Sequence, residues 1–181
     1  MTFSNSVNFP FLHVFIPAYG ESPYLRAAIK SAIESVDEST PITVIDDASP
    51  AGDVFSIAAE FRPRIEYRRN DVNLGISANF LNSFNLSSGL FTLVMGSDDE
   101  MLPDYELELS KSFNSFPDTT VFQPRVLVIN AAGQTCTPLV DRVKRIIQGA
   151  IDQDQLMNPL TLAKKLFIGD FMYFPATAWR T

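Results

Sequence analysis

The chain has 181 residues, 46% hydrophobic and 19% charged, which suits one folded domain with a sizeable core and excludes a disordered chain. A net charge of -7 with no basic stripe argues against nucleic acid as the main partner and against a polybasic membrane anchor. The single cysteine, Cys136, excludes an internal disulfide and fits a reducing compartment.

No apolar run approaches the ~18 residues that a membrane span needs. Residues 1–8 are polar without Lys or Arg and do not read as a signal peptide. The expected location is cytoplasmic, with peripheral association at the inner face of the membrane left open.

The first predicted element is a short strand, 13–16, ending at Pro17. Turn chemistry follows, with Ser22 as the expected cap and Pro23 at the first helical position. Leu25, Ala28, Ile29, Ala32, Ile33 and Val36 then repeat at helical spacing and predict one buried face. A second strand, 42–45, stops at Asp46 and Asp47, and a helix follows with Val54, Ile57, Ala58 and Phe61 inward. Residues 65–68 predict a third strand. A helix over about 76–86 should bury Phe80, Leu81 and Phe84, and the apolar run 91–95 predicts a fourth strand, which stops at Asp98, Asp99 and Glu100.

This alternation implies an α/β fold, with a mostly parallel sheet, right-handed crossovers and helices on both faces. Beyond it, Pro103 opens a helix to about Phe113, 119–129 reads as a strand, and 131–134 as a hairpin turn. The signal over 139–155, with Arg142, Lys144 and Arg145 close together, is weak and reads as a mobile or partner-facing segment. Asn158 and Pro159 cap a helix to about Phe167, and 170–181 ends the chain as a strand.

Loops after the first, second and fourth strands fall on one sheet edge, the carboxyl edge where open α/β folds hold ligands. Two of those loops carry acid pairs. Adjacent carboxylates can clamp a hard divalent cation against substrate phosphates. Neither GxGxxG nor GxxxxGK[ST] occurs, so a metal is the natural counter-charge for a nucleotide diphosphate. Each residue also has a structural reading: Asp46 as a helix cap, Asp71 in an Asx turn before Asn73, Tyr19 as cover for the sheet edge. His13, the only histidine, reads as structural, Trp179 as core, and the Arg142 cluster as a solvated face or a pyrophosphate contact.

Four segments in order, Ile16-Pro17-Ala18-Tyr19-Gly20-Glu21, Val44-Ile45-Asp46-Asp47-Ala48-Ser49, Asn73-Leu74-Gly75 and Gly96-Ser97-Asp98-Asp99-Glu100, resemble successive motifs of the family 2 glycosyltransferases. The resemblance runs through residues 12–104 and more loosely to the end. It implies a GT-A fold in a single domain over 1–181, with about 1–104 as the nucleotide-sugar-binding half and about 105–181 as the start of an acceptor-side half. It further implies an inverting transferase that moves a sugar from a nucleotide-diphosphate donor, a UDP-sugar by expectation, to a saccharide or lipid-linked acceptor in cell-surface polysaccharide synthesis.

By position, Pro17, Tyr19 and Glu21 would line the nucleotide pocket, Asp46 and Asp47 would contact the base, and Asp71 would close the uridine side. Asp98 and Asp99 would fill the DxD-type site for Mn²⁺ or Mg²⁺ and the ribose, with most weight on Asp99. The family often has Asn at the position of Gly20 and Asp at that of Gly96. Its catalytic base lies in a segment expected beyond Thr181, so the chain reads as the donor-binding part of a longer protein. Two alternatives stay open: a nucleotide-sugar-binding fragment without turnover, and a phospho-receiver domain built on Asp46 and Asp47.

Overall fold

The structure, a computed structural model, describes residues 9–149 and 155–181. The stretch 1–8 read above for a signal peptide lies outside them, as do residues 150–154 of the weak segment. Six strands form one sheet: β1 (Leu12–Ala18), β2 (Ile42–Asp46), β3 (Glu66–Arg69), β4 (Phe91–Val94), β5 (Val121–Phe122) and β6 (Ala178–Arg180). Their order is β3-β2-β1-β4-β6-β5. The first four are parallel to one another, while β6 runs antiparallel to both β4 and β5. This is the mostly parallel α/β sheet that the sequence predicts. It differs from the 2-1-3-4-5 order of receiver-type folds.

Strand alternation divides the sheet into unequal faces. Leu12, Val14 and Ile16 of β1 join Phe91 and Leu93 of β4 in the larger core. Helices α1 (Leu25–Ser35), α2 (Asp53–Ala59) and α4 (Tyr105–Ser115) supply Leu25, Ala28, Ile29, Val54, Ala58 and Leu109 to it. The apolar cluster on the opposite face is smaller, with Phe15, Ile45 and Val94 covered by Phe80, Phe84 and Leu86 of α3 (Ile76–Leu86). Helices therefore cover both faces, as expected.

Polar residues fill the rest of that smaller face. The His13 ring stacks on Phe15 at 4.0 Å between centroids. Its Nδ1 accepts the Ser88 amide at 3.2 Å, so Nε2 carries the proton and donates to Thr43 Oγ1 at 3.0 Å. Burial pushes its pKa down to about 4, against a smaller upward pull from Glu66 and a smaller downward push from Arg68. His13 is thus a neutral structural residue.

Several expectations change. Ser22 does not cap α1: its Oγ lies 3.4 Å from the Tyr24 amide, and the helix starts at Leu25 without a side-chain cap. Leu81 is 62% exposed, because α3 turns the rows 79/83 and 80/84 inward, and a residue one position on lies 100° away. The strand expected over 119–129 shrinks to Val121–Phe122, with Pro124 lacking the donor that a continuing ladder needs. The carboxyl-terminal strand is confined to Ala178–Arg180, after a 3₁₀ turn at Phe174–Ala176. Residues 139–148 of the weak segment form a helix, α5 (Leu139–Gln148). Asn158 does cap the next helix, α6 (Pro159–Ile168), accepting the Leu160 amide at 2.9 Å.

Candidate donor site at the carboxyl edge

Strand pairing sets the edge. The register places Ala18 beside Asp46, Asp46 beside Arg69, and Phe15 beside Val94. The loops that follow are tied to one another: the Asp47 amide donates to Ala18 O at 2.9 Å, and the Gly20 amide to Ser49 Oγ at 2.9 Å. Pro17 is half-buried at the end of β1, whereas Tyr19 and Glu21 are exposed on the loop beyond it. Ala48 sits in the left-handed region at φ 59°, a conformation costly for a residue with a β-carbon. It is held there by the neighbouring Ser49 amide, which donates to Asp46 Oδ1 at 2.8 Å.

The two acids of β2's end have separate roles. Asp46 is fully buried and closes an internal network. Tyr67 Oη donates to it at 2.7 Å, the Arg69 guanidinium pairs with it, and Arg69 also reaches Ser49 O at 2.8 Å. Burial pushes the Asp46 carboxyl up, but hydrogen bonds from Ser49, Tyr67 and Arg69 outweigh it and hold it below the usual carboxylate range. The carboxylate is saturated from within. Its oxygens are taken up by Ser49, Tyr67 and Arg69, which ties the loop after β2 to β3.

Asp47, also buried, spends its oxygens on the segment after β3. It accepts Asn70 Nδ2 at 2.7 Å, the Leu74 amide at 2.9 Å and the Gly75 amide at 3.0 Å. Asn70 continues to the buried Asn79 of α3 at 3.0 Å. Asp47 therefore fixes the Asn73-Leu74-Gly75 loop against β2. Asp71 is exposed on that loop, and the Asx turn there belongs to Asn73, whose Oδ1 accepts the Gly75 amide at 2.8 Å.

Asp98 and Asp99 behave differently. The turn after β4 closes with the Asp99 amide donating to Gly96 O at 3.2 Å, which folds both side chains back over Gly96. A β-carbon at Gly96 would meet Asp99 Oδ2 and lie 2.9 Å from Asp98 Oδ1. The space above this glycine is thus filled by two carboxylate oxygens, so the Gly96 that replaces the expected acid makes room for the pair. Burial raises the Asp99 pKa, and the Asp98 charge raises it further. Among the described residues, no ion pair reaches either acid.

Among the described residues there is also no group of three or more metal-ligating side chains. Two carboxylates nonetheless fit a hard cation that takes its remaining oxygens from a diphosphate and water.

The structure thus brings Pro17, Tyr19, Asp47, Asp98 and Asp99 to one edge, with Asp46 beneath it and Glu21 and Asp71 on its exposed rims. Sequence reasoning missed Tyr67, Arg69 and Asn70. A signal was available: the same rule that marks acids after β2 and β4 marks polar residues at the end of the intervening parallel strand. The shallow hollow of about 350 Å³ beside Arg69 and Phe55 lies on the outer flank of this edge.

Comparison with known proteins bears on the family and the fold. The chain is 36% identical over 96 residues to the abequosyltransferase RfbV of Salmonella typhimurium, covering 49% of this chain and 28% of that protein. It is 29% identical over 117 residues to the uncharacterised protein MT1568 of Mycobacterium tuberculosis, covering 64% of this chain and 36% of that one. The chain thus spans about a third of the length of these relatives.

Among solved structures, residues 1–349 of TarS from S. aureus, in complex with UDP-GlcNAc, superpose with a TM-score of 0.58 at 18% identity. The match covers 70% of this chain and 37% of that one. The mannosyltransferase PcManGT of Pyrobaculum calidifontis, in complex with GDP-Man and Mn²⁺, gives a TM-score of 0.54 at 16% identity, covering 68% and 37%. The fold is therefore that of GT-A glycosyltransferases. A profile of the family described as "Glycosyl transferase family 2" matches residues 13–166, and the chain belongs to that family.

Proposed function

We propose that this chain carries the donor site of an inverting glycosyltransferase. It would transfer a sugar from a nucleotide-diphosphate donor, a UDP-sugar first among them, to a saccharide or lipid-linked acceptor in cell-surface polysaccharide synthesis. About 1–104 would serve as the nucleotide-sugar half and about 105–181 as part of the acceptor side. The setting is the cytoplasm, including the inner face of the membrane. The observation that carries this reading is the pair of carboxylates, Asp98 and Asp99, converging above Gly96 at the carboxyl edge with no ion-pair partner among the described residues. Solved neighbours with bound UDP-GlcNAc, and with GDP-Man and Mn²⁺, support it.

In this reading Tyr19 and Pro17 offer a flat surface to the base, and Glu21 and Asp71 flank the nucleoside. Asp47 holds the loop on which Asp71 sits, and Asp46, with Tyr67 and Arg69, holds the loop carrying Ser49. Asp98 and Asp99 would hold a Mn²⁺ or Mg²⁺ ion, which when bound supplies positive charge to the leaving diphosphate. In the transfer, the acceptor oxygen bonds to the anomeric carbon from the face opposite the diphosphate. The carbon–oxygen bond to the diphosphate breaks with its electron pair, and the acceptor proton passes to a base. None of the described residues is assigned that last role.

The test is thermal unfolding of the chain with UDP and Mn²⁺, separately and together. The expected result is a rise in Tm that needs both and disappears in Asp99→Ala. No stabilisation by UDP, GDP or dTDP with metal would refute the donor site. Stabilisation without turnover of any nucleotide sugar would assign the chain to binding alone.

A further inference from the structure

Helix α5 faces the wrong way for an ordinary surface helix. Leu139, Val143 and Ile146 recur at i, i+4 and i+7, the spacing of a stripe that normally turns inward. Here the inward side is polar. Asp141 is only 8% exposed and accepts the Tyr173 hydroxyl at 2.6 Å. Lys144 donates to Met172 O at 3.1 Å and stands 4.2 Å from the centre of the Tyr173 ring. These contacts fix the rotation of the helix, so the apolar stripe points to solvent, with Leu139 and Ile146 each at least three-quarters exposed.

Helix α6 does the same beside it. The two helices meet near their carboxyl ends, where the Lys165 ammonium reaches Gln148 O and Gly169 packs closely against Ile147. Leu160, Phe167 and Ile168 of α6 project outward, Phe167 at 92% exposure. Each large apolar side chain left in water forgoes a substantial burial gain. Six such side chains on two touching helices mark surface that something else covers.

Charge indicates what the cover is. The two helices carry Arg142, Lys144, Arg145, Lys164 and Lys165 against one acid, Asp141. That is a net +4 on the helices themselves, and with Asp152, Asp154 and Asp170 the whole stretch 139–170 still carries +1 in a chain whose total is -7. Arg142, Arg145 and Lys164 are exposed beside the apolar stripes. A second copy of the chain would bring the exposed cations of two such faces together. An anionic bilayer accepts both features at once, with the apolar side chains at the acyl boundary and the cations among the headgroups. No described helix is long and apolar enough to cross a membrane, which leaves an in-plane seat.

We propose that α5 and α6 together seat this protein on an anionic lipid surface through their exposed Leu, Ile and Phe side chains and flanking arginines and lysine. This inference stands independently of the donor site.

The test is co-sedimentation of the full chain with sucrose-loaded vesicles of phosphatidylcholine with 30% phosphatidylglycerol, against phosphatidylcholine alone. The chain is expected to pellet with the anionic vesicles and to dissociate as salt is raised. Arg142→Gln with Arg145→Gln should lower the partition coefficient roughly thirtyfold, from the roughly fivefold that each basic side chain contributes near an anionic surface. Ile146→Glu with Phe167→Glu should abolish binding. All four side chains are exposed, so unchanged circular dichroism and Tm are expected in both variants. Equal binding to both vesicle types, binding to neither, or undiminished binding of the charge variant would overturn the proposal. So would a vesicle-free dimer that Ile146→Glu dissociates, which would assign the face to a second copy.

Discussion

Acidification should destabilise this protein through His13. His13 is buried, neutral and hydrogen-bonded at both ring nitrogens, and its pKa in the folded state is about 4, against 6.5 when unfolded. The unfolded chain therefore binds a proton first as pH falls. The stability due to neutral His13 is complete above pH 6.5 and drains away between 6.5 and about 4. At 1.36 kcal/mol per pH unit, the full span is worth roughly 3 kcal/mol, and roughly 2 kcal/mol of it is gone by pH 5. Urea unfolding at pH 7, 6 and 5 would measure this, with His13→Gln as the reference in which every other group titrates alike. Because the chain has one histidine, its Cε1 proton resonance can be followed by NMR without assignment. It should stay flat from pH 8 to 5. A midpoint near 6.5, or parallel stability curves for the two proteins, would refute the argument.

Other perturbations separate support from contact. Gly96→Ala should leave the fold intact but push the Asp98 and Asp99 carboxylates apart, weakening the metal-dependent Tm rise with UDP at least tenfold in midpoint concentration. Asp99→Asn should remove the same rise while leaving the metal-free Tm unchanged or higher, since it relieves the crowding by Asp98. Thr40→Val deprives the buried Glu106 carboxylate of a hydroxyl donor at 2.7 Å and should cost about 1–3 kcal/mol in urea unfolding, with no effect on nucleotide binding. Tyr67→Phe removes one of the donors to Asp46 and should cost about 1 kcal/mol.

The parallel half of the fold was legible because each of its elements obeys its own period. Alternation in β1 and the 25/28/29/32 stripe of α1 point the same side chains into the core that sequence patterning does. What lay beyond reach were choices made by distant neighbours. Which carboxylate of the Asp46–Asp47 pair is internally paired depends on Arg69 and Asn70, brought alongside only by the β2–β3 register. Leu81 loses its place because α3 covers a small face that Phe80 and Phe84 already fill. Helix α5 defeated the reading for another reason. Its stripe is regular, but the rule assumes that the stripe faces the core, and here Asp141 and Lys144 take the inward positions. The four-acid edge could be located from strand ends, whereas the crowding over Gly96 needed the turn geometry.

The placement of β6 bears on how the chain acquires this fold. Leu93 of β4 pairs with Ala178, and Thr181 donates its amide to Leu90 O at 3.0 Å, so the outer edge of a fully buried strand waits 85 residues for its partner. At typical ribosomal speeds that wait is on the order of ten seconds. During it, the Phe91–Val94 ladder is an open apolar template of the kind that recruits other chains. Among the described residues β5 pairs only with β6 and cannot shield it earlier. The three residues Ala178–Arg180 therefore seal two strands in a single late event, and slowing their arrival should raise aggregation during synthesis without changing the finished protein.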